Sequence, residues 1–492
     1  MFKFNKISPL IALLILLSSC NLDKYPYDAI EQSQAFQTVK DATTFRNGLY
    51  SYIRNLSAGQ YTYVTDFQSD LLNATTDFGN RGGLIYRWEF VGSDYNLRDM
   101  WSSHYSAIAN INVLLDNIDK IPTTTPAEAD LIKQYKGEAY LMRAFCYYRL
   151  ALRFAKDYEP STATTDLGLP IVLTYDPNAR PARATLKETF DQIKLDLGQA
   201  KTLLVVAGAR DSYYLTADAV SALEARVYLT THEWTNAITA ADKIISSTKY
   251  PLIDNATDLE KMWKNDTGSE IICKLFAATT ELNSATQMNV FIQYNTTIAS
   301  NTPDFVPQKW VVDLYADNDI RKNVYLKKDK ITIQSINYTD VYMINKYPGN
   351  PALFTTAVSN YYQMPKLFRS AEAYLIKAEA AFRVPDEPTA LSTLNILRNK
   401  RGLASLTGLT GTALFNAIKE ERTREMLCEG TRLDDLKRWQ LGVTRTAPQN
   451  SAMVVTGPTA SELSVTSNNM RFVWEIPSND IQANPNLKPN WN

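Results

Sequence analysis

The stretch Ala225-Arg226-Val227-Tyr228-Leu229-Thr230-Thr231-His232-Glu233-Trp234-Thr235-Asn236-Ala237-Ile238-Thr239-Ala240-Ala241-Asp242-Lys243-Ile244 holds Ala225, Tyr228, Ala237, Ala241 and Ile244 in the spacing A-x2-Y-x8-A-x3-A-x2-I. Ala378, Ala381, Ala390, Leu394 and Leu397 repeat those intervals without a gap. Small residues at such offsets let two helices approach closely, and larger apolar ones fill the groove toward the next pair. This is the spacing of a tetratricopeptide helix–turn–helix. Ala144 and Tyr147 begin a further unit, whose second helix (186–200) is delayed by an insertion holding Gly168-Leu169-Pro170. The expected fold is mainly α: tetratricopeptide-like helix–turn–helix units forming an α-superhelical scaffold, with irregular loop-rich segments and a few short strands.

Working outward, helical spacing also marks 39–54 and the stripe Trp101, Tyr105, Ile108, Ile111, Leu115 and Ile118. A third helix, 129–154, is rich in alanine and tyrosine. Helical repeats are therefore expected over about 31–250 and 366–442. Segment 61–98 reads as irregular, broken by Gly79, Gly82 and Gly83. Residues 250–365, rich in proline, threonine, asparagine and tyrosine, read as loops with small strands. Residues 443–492 are similar, with a strand expected at 470–476.

The N-terminus sets the compartment. Lys3 and Lys6 precede an apolar run, and Leu17-Ser18-Ser19-Cys20 resembles a bacterial lipobox. The apolar run is too short to cross a bilayer, so 1–19 reads as a lipoprotein signal peptide and Cys20 as the acylated residue. Several acyl chains on one cysteine anchor firmly where a single chain holds only marginally. Residues 20–30 (CNLDKYPYDAI) read as a tether, and 31–492 as a single domain. Cys146, Cys273 and Cys428 form no evident pairing and lie in apolar or helical stretches, as small core residues do.

Composition excludes whole function classes. The 492 residues are 45% hydrophobic and 21% charged, with 51 basic against 52 acidic side chains. That balance suits an ordered globular chain and lacks the basic field of a nucleic-acid binder. Only His104 and His232 are present, far apart and without a metal-like or triad-like neighbourhood in sequence, which argues against zinc enzymes and histidine-dependent hydrolases. No Gly-rich phosphate loop, CxxC or HExxH occurs, and no cofactor or metal is expected.

The most charged motif runs from Glu420 through Glu421-Arg422-Thr423-Arg424-Glu425 to Glu429-Gly430 and on to Arg432, Asp434, Asp435, Arg438 and Trp439. On a helix Glu421, Glu425 and Glu429 share one face. With arginine and glutamate interleaved, an ion-pair network joining the last helices is the favoured reading over an acid–base or anion site. Among the tryptophans, Trp101, Trp234, Trp439, Trp474 and Trp491 read as packed. Trp88, Trp263 and Trp310 fall in irregular regions beside Tyr86, Tyr95, Tyr294, Tyr338, Tyr342, Tyr361 and Tyr362. Flat rings cover the apolar faces of sugars while amides and carboxylates bind their hydroxyls. The candidate ligand-binding residues are therefore Asp66, Asp70, Arg81, Trp88, Tyr95, Asn96, Trp263, Tyr294, Trp310 and Tyr342, with no catalytic residue.

These motifs, in this order, resemble the SusD/RagB family of outer-membrane nutrient-binding lipoproteins. Cys20-Asn21-Leu22-Asp23 with Pro26 is similar to that family's N-terminus. Arg143-Ala144-Phe145-Cys146-Tyr147 followed by Gly168-Leu169-Pro170 resembles its RA-x-x-Y helix and following G-x-P. Thr216-Ala217 through Leu229 and Glu372-Ala373-Tyr374-Leu375 through Arg401 resemble its repeats. Glu421-Arg422 through Trp439 is the most diagnostic, and Ile476-Pro477 with Asn484-Pro485-Asn486-Leu487 closes the chain in the family's manner. Lys488-Pro489 departs from the usual glutamine–asparagine pairing.

The resemblance implies a cell-surface lipoprotein on the outer membrane of a Gram-negative, Bacteroidota-type bacterium. Its partner would be a SusC-like TonB-dependent transporter, to which it would deliver a captured oligosaccharide without catalysis. Two other readings stay open at this point. A RagB-like protein of the same architecture would bind peptide, which needs backbone hydrogen-bonding edges and side-chain pockets. An enzyme on a helical scaffold would need convergent titratable groups, such as Asp66 and Asp70.

Overall fold

A computed structural model describes residues 35–491. The expected signal peptide, Cys20 and the tether lie outside the described residues.

The chain opens with α1 (Val39–Leu56), α2 (Gln60–Gln68), α3 (Tyr95–Asn117) and α4 (Pro126–Phe154), then α5 (Leu186–Leu203), α6 (Ala217–Thr230) and α7 (Trp234–Ile245). Helix starts follow capping chemistry. Thr38, Thr125 and Thr185 each accept the backbone N–H three residues on, and Asp41, Glu128 and Glu188 reach back to the cap, satisfying donors the helix leaves orphaned. After α8 (Ala256–Lys264) the chain returns through α9 (Ser370–Arg383), α10 (Glu387–Lys400), α11 (Gly411–Glu425) and α12 (Arg432–Arg438).

Helices α4 and α5, α6 and α7, and α9 and α10 pack as pairs, and α9 lies against α7. The solenoid thus continues in space although the chain leaves it for over a hundred residues. Ala225, Ala237, Ala241, Ala378, Ala381 and Ala390 are all buried, as close helix approach requires. The third unit forms as expected: Ala144 and Tyr147 are buried on α4. The Tyr147 hydroxyl donates to the Val172 carbonyl at 2.8 Å and accepts from its N–H at 2.7 Å, pinning the insertion to the scaffold.

Strands are short and gather in the 250–365 excursion. β1 (Leu72–Ala74) pairs antiparallel with β5 (Phe305–Pro307), and β2 (Ile271–Lys274) with β8 (Lys366–Arg369). A four-stranded sheet runs β3 (Tyr294–Asn295), β4 (Ser300–Asn301), β6 (Leu326–Ile333), β7 (Ile336–Ile344). Gln334 and Ser335, both at positive φ, turn the β6–β7 hairpin with the twist its strands need.

Three expectations are corrected here. Segment 61–98 is not irregular throughout, since it contains most of α2 and the start of α3. Residues 62–68 of α2 are all buried, the polar Thr62, Thr65, Asp66 and Gln68 among them, so polar and apolar residues do not separate onto two faces and the helix leaves no periodic trace. Residues 470–476 form no strand; Met470–Phe472 is a single 3-10 turn capped by Asn469. The extended segment after it is paired one bond at a time, Trp474 N–H to Arg153 and the Asn490 side chain to the Trp474 carbonyl, rather than along a ladder. Finally, α11 ends at Glu425, and left-handed Cys428 and Gly430 break the backbone before Glu429 can lie on a helical face.

Buried ion pairs run across the helix interfaces: Arg46–Glu138, Arg143–Asp196, Arg226–Glu372, Arg422–Asp435 and Arg438–Glu379, between 2.5 and 2.8 Å. The densest knot surrounds Glu425. Its carboxylate takes Arg401 Nε at 2.9 Å, Arg321 Nη1 at 2.9 Å and Arg369 Nη1 at 2.5 Å, all with side chains essentially excluded from solvent. Glu421 joins Arg321, Arg398 and Arg424, and Glu429 joins Arg369 and Lys346. The interleaved charges are thus an ion-pair network. These arginines hold Glu425 well below the usual carboxylate range although burial opposes it. Removing one member of such a network strands the others, so Glu425→Gln is expected to destabilise the fold by about 3–5 kcal/mol, read by urea unfolding of the full chain. A variant as stable as the wild type would show that the network is not structural.

Candidate functional site

The N-terminus of α3, the outer face of α2 and loop 284–289 enclose a cleft of about 410 Å³, a size typical of small-ligand sites. Arg81, Tyr95 and Asn96 line it together with Gln60, Tyr63, Phe67, Gly82, Gln287 and Asn289. Tyr95 presents nearly half its surface to solvent, whereas Asn96 is buried. The α3 cap explains that difference. The Asp94 carboxylate accepts both the backbone N–H and the side-chain amide of Asn96, at 2.8 and 2.9 Å, which orients the amide. Gly82 sits at φ +60°, where a Cβ would meet the Phe67 ring at 2.9 Å, so the loop can close over α2 only with glycine there.

Arg81 pairs with Asp304 at 3.0 Å. Burial and neighbouring Asp77 push the Asp304 carboxyl up to about 6 despite the guanidinium. One exposed ring, one oriented amide, one guanidinium and three further amides can meet a ligand that has apolar faces and many hydroxyls.

The other seven sequence candidates lie elsewhere. Asp66 is fully buried on α2 and accepts the Gly430 N–H at 3.0 Å. Asp70 is buried and held by Arg432 through two bonds of 2.8 and 2.7 Å, so the two carboxylates do not form an acid–base pair. Trp88 is buried, donates to the Gln68 carbonyl and packs on Phe472. Trp263 lies on α8 rather than in irregular chain, buried against Tyr325 and Tyr347 with Lys346 over its ring. Trp310, half-buried on the short helix Lys309–Asp313, donates to the Asp70 carbonyl. These tryptophans staple loops to scaffold because burying an indole stabilises more than leaving it as a platform. Tyr294 is exposed on β3 and Tyr342 half-buried on β7, and neither lines the cleft.

Gln60, Tyr63, Phe67, Gln287 and Asn289 escape the sequence reading. The polar run Asn283-Ser284-Ala285-Thr286-Gln287 is the available signal, and only the fold brings it beside α2. Sequence distance also hides His232: the α6–α7 turn sets it beside Asp157 and Glu159, with ligand-type atoms within 4.8 Å of one another. Cys146, Cys273 and Cys428 are free and buried, as expected.

The chain matches a family model described as "Starch-binding associating with outer membrane" over residues 22–229. A second model, described as "SusD family", matches residues 318–492. The chain belongs to the SusD family. SusD-like protein P38 of Formosa agariphila is 23% identical over 535 residues, covering 100% of this chain and 99% of that protein. A SusD superfamily protein of Bacteroides thetaiotaomicron superposes with a TM-score of 0.79 at 22% identity, over 92% of this chain and 100% of the other. A laminarin-binding SusD-like protein superposes at 0.70 with 19% identity, over 93% and 100%. These likenesses agree with the tetratricopeptide-like SusD fold seen here. Among the described residues no helix is long and apolar enough to cross a membrane.

The reassignment of Asp66 has a pH consequence. Burial pushes its carboxyl up to about 8, against an unfolded value near 3.8. A raised acid pKa contributes stability that is complete below the unfolded value and is lost as pH climbs through the folded one. Asp66→Asn removes that loss. Compared with wild type, the variant is expected to gain relative stability between pH 5.5 and 8.5 in urea unfolding, and an unchanged difference at the two pH values would refute the assignment.

Proposed function

We propose that this SusD-family chain is a non-catalytic cell-surface lipoprotein that captures a glycan in the Arg81–Tyr95–Asn96 cleft and passes it to a SusC-like TonB-dependent transporter. The observation that carries this reading is the exposed Tyr95 ring next to the oriented Asn96 amide and the Arg81 guanidinium, in one open cleft. A ring that covers a pyranose face and amides that exchange hydrogen bonds with hydroxyls bind without providing an acid–base pair. Laminarin is the first probe because a structural neighbour binds it.

Calorimetry across a panel of soluble polysaccharides tests the capture step. Tyr95→Ala is expected to weaken the best ligand about tenfold, on the order of 1.4 kcal/mol. Tyr342→Phe, away from the cleft, leaves affinity unchanged. Silence across the panel with peptide binding at the same cleft would transfer the site to the RagB-like alternative.

The anchor has its own test. Cys20→Ser is expected to abolish incorporation of labelled palmitate and to release the protein from the outer-membrane fraction. Retention in the membrane without label would overturn the lipoprotein assignment. Co-purification of the wild-type lipoprotein with a TonB-dependent barrel from solubilised outer membranes tests the delivery step.

A further inference from the structure

A second cavity, of about 100 Å³ and partly open to solvent, lies between the scaffold helices. Its lining draws on α2, α4, α6, α8, α9, α11 and α12, and it is rich in charge. Nearly all of that charge is cancelled by pairs. Arg226 meets Glu372 at 2.6 Å, Arg422 meets Asp435 at 2.7 Å, and Arg438 meets Glu379 at 2.8 Å. Lys366 meets Asp266 at 2.5 Å, Glu429 is taken by Lys346 and Arg369, and Asp434 by Arg153.

Arg149 is the exception. It lines the cavity from α4 and donates only to the carbonyl of Tyr61; among the described residues no carboxylate lies within ion-pair distance of it. Burial and the neighbouring Arg226 push its guanidinium down to about 10, which still leaves it charged at neutral pH. Asp66 is within electrostatic reach but, at about 8, mostly keeps its proton there.

The same cavity has spare donors. Nη1 of buried Arg422 and Nε1 of buried Trp263 have no partner among protein groups, and both residues line it. Gln363, another lining residue, has an unpartnered side-chain oxygen, and its amide can present either end. Water could satisfy such donors, yet it brings no charge, and the part-buried Arg149 guanidinium beside two further unpartnered donors favours an anion over a neutral guest. The excess is a single positive charge, and the space admits one small ion with a water or two at about 30 Å³ each.

We infer that this cavity is a binding site for one small monovalent anion of the halide class, with Arg149 as its charge partner and Arg422 Nη1 and the Trp263 indole N–H as further donors. The site is separate from the surface cleft, since Thr62 of α2 faces the cavity while Tyr63 and Phe67 face the cleft. The ion would complete the electrostatics of the scaffold and need not touch the captured ligand.

The test follows thermal unfolding of the detergent-solubilised full-length lipoprotein, with sodium chloride or bromide replacing sodium gluconate at constant ionic strength. Wild type is expected to gain about 2 °C, saturably, in either halide. Folded Arg149→Met should show no such dependence. Should Arg149→Met not fold, bromide-soaked wild-type crystals decide the matter: an anomalous peak within about 4 Å of the Arg149 guanidinium supports the site. An equal halide dependence in folded Arg149→Met, or bromide peaks only at surface positions, which would mark an adventitious ion only, would overturn it.

Discussion

The carboxylate of Glu425 is the point on which the architecture turns. It lies at the end of α11, out of reach of solvent, and is neutralised by arginines from three separate segments: Arg321 within the 250–365 excursion, Arg369 at the end of β8, and Arg401 at the end of α10. Such a cluster can form only when all three segments are in register. It therefore couples the loop-rich excursion to the helical solenoid. Apolar packing alone would tolerate sliding, because contact between methyl groups has little direction. Bidentate guanidinium–carboxylate geometry does not.

That coupling explains how a cleft on the surface is positioned. Gly430, in the turn that follows Glu425, donates its N–H to Asp66 on α2, and Asp70 beyond α2 is clamped by Arg432 at the start of α12. Helix α2 is thus gripped from the ionic core on one side and presents Tyr63 and Phe67 to the cleft on the other. The division of labour is consistent: acids near 61–70 fasten the scaffold, and the ligand face is left to a ring, amides and one guanidinium.

Legibility followed physical type. Helices whose two faces differ in polarity, such as α1 and α7, announced themselves, and so did the alanine spacing of the paired helices. Helix α2 was invisible because its buried residues are polar and apolar alike, which leaves no periodic contrast. The aromatic candidates divided for a related reason. An indole in a segment that looks irregular is indistinguishable, in sequence, from an indole that pins that segment down, and Trp88, Trp263 and Trp310 all took the second role. Tyr95 stayed exposed because it occupies the first position of α3, where the side chain points past the helix rather than into a neighbour.

By itself the sequence determined the tetratricopeptide-like scaffold and the clustering of Glu421, Glu425 and Glu429 with arginines, because these rest on residue types at short, regular intervals, and its motifs in their fixed order carried the resemblance to the SusD family. Tertiary structure alone decided which of the ten candidates share a cleft, that Gln287 and Asn289 join them, and that Arg149 is left without a counter-charge. Those outcomes depend on contacts between segments far apart in the chain. Local spacing has no access to whether a carboxylate from a distant segment arrives within reach of a given guanidinium.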